Sequence, residues 1–137
     1  MKIAIRYFTK SKKGNTLKLA NVVSETSKVE ALTIKHDLTE EVDKLFLVNA
    51  MYAFNIDKEV KEFLTRNASK IKCIINVNSA ASGSSTLKLV KEVADKLNIP
   101  VSEKEYHTVA SWIFLNKGRP NEDDLNRLRE FVKGVIE

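Results

Sequence analysis

The segment from Thr9 to Thr16, TKSKKGNT, gathers hydrogen-bond donors between a run that resembles a β-strand and a run that resembles a helix. The N–H groups that begin a helix, together with the positive end of its dipole, form a ready anion site. Hydroxyls of Thr9, Ser11 and Thr16 stand around such a site, and Asn15 adds an amide donor. Gly14 lets the backbone approach a ligand closely. The chemistry of this loop suits a phosphate group.

Two common nucleotide motifs do not fit the loop. A Walker A sequence requires a glycine five positions before its GK[ST] end, but Thr9 occupies that position and Asn15 replaces the lysine. The GxGxxG dinucleotide motif fails because Gly14 is the only glycine in the first eighty residues. ATP, GTP and the usual mode of NAD binding are therefore not expected. A solvated, capped turn is the alternative interpretation of the same residues.

Five runs rich in β-branched residues predict the strands that would position this loop. They span residues 2–8, 29–34, 44–50, 70–78 and 101–109. Runs such as LFLVNA and CIINV are apolar on both faces, as expected for central strands of a parallel sheet with helices on each side. The pattern predicts a doubly wound α/β sandwich, in which ligands bind beyond the carboxyl ends of the strands.

Four stretches with helical spacing of apolar residues alternate with these strands. The first follows the Thr9 to Thr16 loop. In the second, Asn55 is predicted as the N-cap, with Asp57 in the first turn. In the last, Asn121 can cap the helix and form a capping box with Asp124. Residues 35–43 leave room for only about one helical turn, so the crossover between the second and third strands should be abbreviated.

Composition predicts one globular domain spanning residues 1–137. Apolar residues make up 43% of the chain, but no apolar run approaches the ~20 residues of a membrane span. The N-terminus lacks a secretory h-region, and Cys73 is the only cysteine, so we expect a cytoplasmic protein without disulfides or thiolate metal sites. The net charge is +5, but the lysines are scattered and no nucleic-acid motif is present, so no nucleic-acid partner is expected.

Several segments together resemble flavodoxins and flavodoxin-like proteins. RYFTKSKKGNTLKLA is similar to the first strand, Ser/Thr-rich loop and helix of that family. LFLVNAMYAFNIDKEVKEFL is similar to its third strand, flavin-contacting loop and following helix, and IINVNSAASGSS to its fourth strand and second flavin loop. NKGRPNEDDLNRLREFVKGV is similar to the C-terminal segment of short flavodoxin-domain proteins, so the resemblance covers nearly the whole chain.

This resemblance implies a three-layer fold with a five-stranded parallel sheet of order 2-1-3-4-5, and a bound FMN. It implies a set of residues that cradle the phosphate: Thr9, Ser11, Lys13, Gly14, Asn15 and Thr16. A second set would flank the ring system: Met51, Tyr52, Ala53 and Phe54. A third would approach the pyrimidine edge through backbone groups: Ser79, Ala80 and Gly83.

The implied function is electron transfer between redox proteins. No nucleophile, general base or metal constellation is visible in the sequence, so the chemistry would belong to the flavin. Two alternatives stay open: a small FMN-dependent NAD(P)H:quinone-type reductase, and a flavin-free interaction module that kept the fold. We expect a monomer or weak dimer.

The chain departs from the familiar pattern in two respects. Familiar flavodoxins are acidic, whereas this chain carries +5, so we expect a less negative reduction potential and a partner with an acidic docking face. The second flavin loop, NSAASGSS, has no aromatic residue, so the flavin ring would be sandwiched from one side only.

Overall fold

The structure is a computed structural model that describes residues 1–10, 14–111 and 117–137. Its sheet contains five parallel strands in the order β2-β1-β3-β4-β5. This order confirms the predicted topology. The strands are β1 (Ile3–Tyr7), β2 (Ala31–Thr33), β3 (Lys44–Ala50), β4 (Ile74–Ala80) and β5 (Tyr106–Val109). The last strand is shorter than predicted: Val101 makes only an isolated bridge to Ile74.

Helices cover both faces of the sheet. They are α1 (Asn15–Ser27), α2 (Lys58–Asn67), α3 (Leu87–Lys96) and α4 (Glu122–Ile136), and a 3-10 turn, Ala68–Lys70, follows α2. One core lies between the sheet and α1 with α4, and includes Leu19, Phe46 and Leu128. The other lies beneath α2 and α3, and includes Leu47 and Phe63. Burying each such side chain contributes about 1.5–3 kcal/mol. No helix in the described ranges has the length and apolarity that a membrane span requires.

Capping residues set where two of the helices begin. Asn121 Oδ1 accepts a hydrogen bond from the Asp124 N–H, and Asp124 Oδ2 accepts one from the Asn121 N–H, which confirms the predicted capping box. The prediction that Asn55 caps α2 is wrong, because Asp57 is the N-cap and its Oδ1 accepts from the Glu59 N–H. Asn55 is instead held in a backbone-paired turn, so the helix can begin only after that turn ends.

The crossover from β2 to β3, residues 34–43, contains no helix. Its Ile34, Leu38 and Val42 side chains are buried against the core that α2 and α3 cover, in the place a helix would otherwise fill. The one local turn is closed by the His36 N–H, which donates to the Thr33 carbonyl at 3.0 Å. The prediction of an abbreviated crossover is thus confirmed. The sequence left room for about one helical turn, and the structure has no helix there at all.

A crossover without a helix must satisfy its backbone polar groups in another way. Arg6, buried in β1, donates from Nε to the His36 carbonyl at 2.7 Å and from a terminal nitrogen to the Asp37 carbonyl at 3.4 Å. Asn67 Oδ1 accepts from the Leu38 N–H at 2.8 Å. Side chains from β1 and α2 therefore replace the hydrogen bonds that a helix would have supplied internally.

Replacing Arg6 with methionine should lower the free energy of unfolding by about 2–3 kcal/mol, because the crossover carbonyls of His36 and Asp37 lose the buried guanidinium that donates to them. The midpoint of urea unfolding measures the change. Arg129→Met is the control, since Arg129 bonds Glu122 and Asn126 near the surface and its loss should cost less than about 1 kcal/mol. An Arg6→Met protein as stable as the control would show that the crossover does not depend on these bonds.

Candidate functional site

A pocket of about 760 Å³ lies at the carboxyl ends of β1, β3, β4 and β5. It stands where the winding reverses, because the chain passes from β1 outward to β2 and then returns to β3 on the other side. Four segments supply its described lining: Thr9, Gly14, Asn15 and Thr16; Ala50, Met51, Tyr52, Ala53 and Phe54; Ser79, Ala80, Ala81 and Ser82; Ala110 and Ser111.

Most of the predicted site residues meet in this pocket. The predicted residues that line the pocket are Thr9, Gly14, Asn15, Thr16, Met51, Tyr52, Ala53, Phe54, Ser79 and Ala80. Ser11 and Lys13 lie outside the described residues. Gly83 is not among the lining residues. Its φ of +77° shapes the turn after β4, and a Cβ there would lie 3.2 Å from Val109 Cγ2.

The start of α1 forms one end of the pocket. Gly14 is the N-cap, in an extended conformation with φ −67°, so glycine is not needed there for a left-handed backbone. What matters is its missing side chain, which leaves the first N–H groups of the helix to be bonded by other groups. The first turn of α1 has no acidic residue, and Thr16 is buried at the pocket wall. This end therefore has the character of an anion site.

Asn15 links the two loops at this end. Its side-chain amide donates to the Ser111 carbonyl at 3.2 Å and lies 3.4 Å from the Ser111 hydroxyl. Ser111 and Ala110 were not predicted as site residues, although they directly follow the predicted fifth strand. Any strand end at this edge of a parallel sheet borders the same crevice, and that signal was available in the sequence.

The segment after β3 forms a tight turn that also lines the pocket. Tyr52 and Asn55 exchange two backbone hydrogen bonds, of 2.7 and 2.9 Å, across Ala53 and Phe54. Both central residues have positive φ, +49° and +63°, as in a type I′ turn, which usually contains asparagine and glycine. This backbone is costly for L-residues with a Cβ. It holds Phe54 at the pocket rim with 86% of its surface exposed.

Tyr52 is held in place by several neighbours. Phe8 packs against its ring edge-on, with centroids 6.4 Å apart and planes at 85°. Its hydroxyl accepts a hydrogen bond from the Lys10 backbone N–H at 3.2 Å, and Lys10 Nζ lies 4.9 Å from its ring centroid. The same Nζ lies 3.1 Å from Asp57 Oδ2. We call Lys10, Tyr52 and Asp57 the Lys10 clasp. The Glu59 N–H, and secondarily Lys10, lower the pKa of Asp57.

A buried amide network supports the loop after β4. Asn49 donates to Asn76 Oδ1 at 2.9 Å, and the Thr86 hydroxyl donates to Asn49 Oδ1 at 2.7 Å. Asn78 Oδ1 accepts from the Thr86 N–H at 3.1 Å, and its amide donates to the Ser84 carbonyl at 3.0 Å. The sequence carried a signal for this network, because asparagines within apolar strands must find hydrogen-bond partners when buried.

Comparisons with known proteins agree with this architecture. No protein-family model matches the chain. An uncharacterized protein of Methanocaldococcus jannaschii is 27% identical in an alignment that covers 89% of this chain and 90% of that protein. A flavodoxin from the domain Archaea superposes with a TM-score of 0.74 at 13% identity, covering 98% of this chain and 96% of that one. Flavodoxin 2 from Bacillus cereus gives 0.70 at 14% identity, covering 99% and 98%. The fold is flavodoxin-like.

Proposed function

From the flavodoxin-like fold and the pocket at its sheet edge, we propose that this protein binds FMN in the pocket and carries electrons between redox proteins. The observation that supports this proposal is the lining of the pocket by two kinds of group. The start of α1, whose glycine N-cap has no side chain, and a turn that bears Tyr52 and Phe54 line the same pocket, as a phosphate-bearing ring ligand requires. The volume of about 760 Å³ falls within the roughly 300–1,000 Å³ typical of small-molecule sites.

The residues present fit FMN in their chemistry. Backbone N–H groups of Gly14, Asn15 and Thr16 would hold the phosphate, with the Thr9 and Thr16 hydroxyls as further donors. Ser11 and Lys13 complete this set as predicted residues. Tyr52 and Phe54 would flank the ring system, together with Met51 and Ala53.

The pyrimidine edge would meet the end of β4. Ser79 and Ala80 line the pocket there, and Gly83 shapes the turn that follows. The Ser79 carbonyl already accepts from the Met51 N–H at 3.2 Å, which ties this wall to the ring-flanking segment. When bound, the flavin supplies the electron-transfer chemistry, and the chain supplies position and electrostatic field.

A carrier is favoured over a reductase by the lining of the pocket. Among the described lining residues, tyrosine is the only type with a titratable side chain, so the described wall offers no carboxylate or imidazole to protonate an organic substrate. The exposed Phe54 at the rim leaves a contact surface for a protein partner. A cytoplasmic monomer or weak dimer is part of the proposal, and the partly buried, unpaired Cys73 suits a reducing compartment.

The net charge of +5 supports a partner with an acidic docking face. We expect electron transfer to such a partner to slow as ionic strength rises, and the reduction potential to be less negative than that of acidic flavodoxins. Stopped-flow measurements over a salt series and a potentiometric titration give the two quantities. A strongly negative couple, or a rate that rises with salt, would contradict this part of the proposal.

The test is a visible absorption spectrum of the purified protein, followed by titration of the stripped form with FMN under flavin fluorescence. Quenching that saturates at one FMN per chain supports the proposal. Rapid reduction of the loaded protein by NADH or NADPH would favour the reductase alternative. No binding at micromolar FMN, a binding free energy weaker than about −8 kcal/mol, would favour a flavin-free interaction module.

A further inference from the structure

We propose that Lys10 serves the aromatic turn that would flank the flavin: it positions Tyr52 and places a positive charge beside the tyrosine ring that favours the reduced, anionic flavin. This inference rests on the proposed function. Lys10 follows directly on Thr9 in the loop predicted to hold phosphate, yet its contacts lead to the segment after β3. The loop therefore contributes one of its lysines to the aromatic turn after β3.

Both ends of Lys10 contact Tyr52. The backbone N–H bonds the phenol oxygen at 3.2 Å, and the ammonium lies 4.9 Å from the ring centroid, within the range of a cation–π contact. With Phe8 packed edge-on against the same ring, Tyr52 is restrained by its hydroxyl, by one face and by a neighbouring aromatic ring. These restraints set the orientation in which Tyr52 would meet the flavin.

Asp57 fixes the position of the lysine charge. The side chain of Asp57 is only 12% exposed, whereas that of Lys10 is 58% exposed. Asp57 Oδ2 lies 3.1 Å from Lys10 Nζ. Asp57 is itself held as the N-cap of α2 by the Glu59 N–H at 2.9 Å. The ammonium is thus anchored on the rigid start of a helix rather than on a freely rotating surface chain.

The charges of the clasp act on flavin reduction with opposite signs. Two-electron reduction consumes two electrons from an external reductant and one proton from solvent, and leaves the flavin with one negative charge. A cation beside Tyr52 stabilises that charge, and the Asp57 carboxylate opposes it. The contact with the tyrosine ring is made by Lys10 Nζ, 4.9 Å from the centroid, so we expect the cation to act more strongly than the carboxylate and the pair to favour reduction.

The test compares Lys10→Met and Asp57→Asn in the FMN-loaded protein by potentiometric titration with dithionite. Lys10→Met should weaken binding of reduced relative to oxidised FMN by about threefold to tenfold, where tenfold equals about 30 mV for a two-electron couple. Asp57→Asn removes the opposing charge but keeps an N-cap side chain and an oxygen that can accept from Lys10 Nζ, so it should shift the potential in the opposite direction. Opposite shifts from two variants of one ion pair do not arise from general loosening of the fold.

Lys91→Met is the matched control. Lys91 is paired with Glu103 and does not line the pocket, so its removal lowers the net charge by the same amount without touching the clasp. A shift in Lys10→Met no larger than in Lys91→Met would overturn the inference. The inference would also be overturned if Lys10→Met bound FMN more weakly and riboflavin equally well. That result would identify Lys10 as a phosphate ligand.

The clasp also has a readout in the flavin-free protein. Carboxyl NMR titration should find the pKa of Asp57 higher in Lys10→Met than in the wild type, and an unchanged value would overturn the clasp. A wild-type chain that binds no FMN would overturn the proposed function, and the role of Lys10 at the flavin with it. If the wild type binds FMN but the reduction potentials of the two variants do not shift in opposite directions, this inference alone is overturned.

Discussion

Thr16→Ala should weaken FMN binding by about 10- to 100-fold and leave riboflavin binding unchanged. Thr16 is buried at the pocket wall in the first turn of α1, where the proposed phosphate would lie. A hydrogen bond to a charged group is worth about 1.5–3 kcal/mol, which corresponds to that loss of affinity. Riboflavin lacks the phosphate, so the lost hydroxyl should not affect its binding.

Fluorescence titrations of the stripped protein with both flavins measure the two affinities. The control is Thr65→Ala, because the Thr65 hydroxyl donates to the Lys61 carbonyl on the exposed side of α2, away from the pocket. Urea unfolding of each variant checks that both remain folded. Equal losses for FMN and riboflavin would contradict the placement of the phosphate at α1, since they would assign Thr16 to the ring end or to packing.

Asp124→Ala should lower the free energy of unfolding by about 3–5 kcal/mol, a large part of the stability of an ordinary domain. The carboxylate is fully buried and accepts hydrogen bonds from Arg119 Nε at 2.5 Å, from Arg127 at 2.6 Å and from the Asn121 N–H at 2.8 Å. Its removal leaves the partly buried Arg119 without its anion and α4 without half of its capping box.

The same carboxylate should make stability depend on pH. The Arg119 hydrogen bonds are the main cause that lowers the pKa of Asp124 to about 2. Because the unfolded chain binds this proton more readily, stability is complete above the ordinary pKa and is lost as the pH falls through the folded value. The loss should amount to about 2 kcal/mol between about pH 5 and pH 2.

Urea unfolding from pH 7 down to pH 2 measures this dependence in the wild type, in Asp124→Asn and in a control. Asp124→Asn cannot ionise and should lose this part of the pH dependence. Asp123→Asn alters a neighbouring, exposed carboxylate in the same helical turn and should retain it, with a change in stability below about 1 kcal/mol. Identical pH profiles for the wild type and Asp124→Asn would contradict the assignment.

The Asp124 cluster also reaches the pocket. The Arg119 carbonyl accepts a hydrogen bond from the Ser111 N–H at 2.9 Å, and Ser111 in turn accepts from Asn15 at the start of α1. The Tyr106 hydroxyl of β5 donates to the Asp124 carbonyl at 2.6 Å. The start of α4, the first residue of β5 and the start of α1 at the pocket are therefore joined by a continuous set of hydrogen bonds.

Local patterns were sufficient for the strands, the helices and the α4 capping box. An apolar run indicates a strand that is buried on both faces, and apolar residues at helical spacing indicate a helix that is buried on one face. This burial is what stabilises these elements. The prediction of Asn55 as the N-cap of α2 was wrong for a tertiary reason. Asn and Asp are equally good caps, and only the backbone pairing of Asn55 with Tyr52 moved the start of the helix to Asp57.

Residue types and their spacing along the chain were enough to predict the parallel sheet, the short crossover and the loops that would meet at one edge of the sheet. They did not predict that Arg6 donates to the helix-free crossover, or that Lys10 turns toward Tyr52 and Asp57. These contacts join residues that are distant along the chain. Hydrogen bonds and ion pairs of this kind depend on distances that folding alone creates, and no local pattern encodes them.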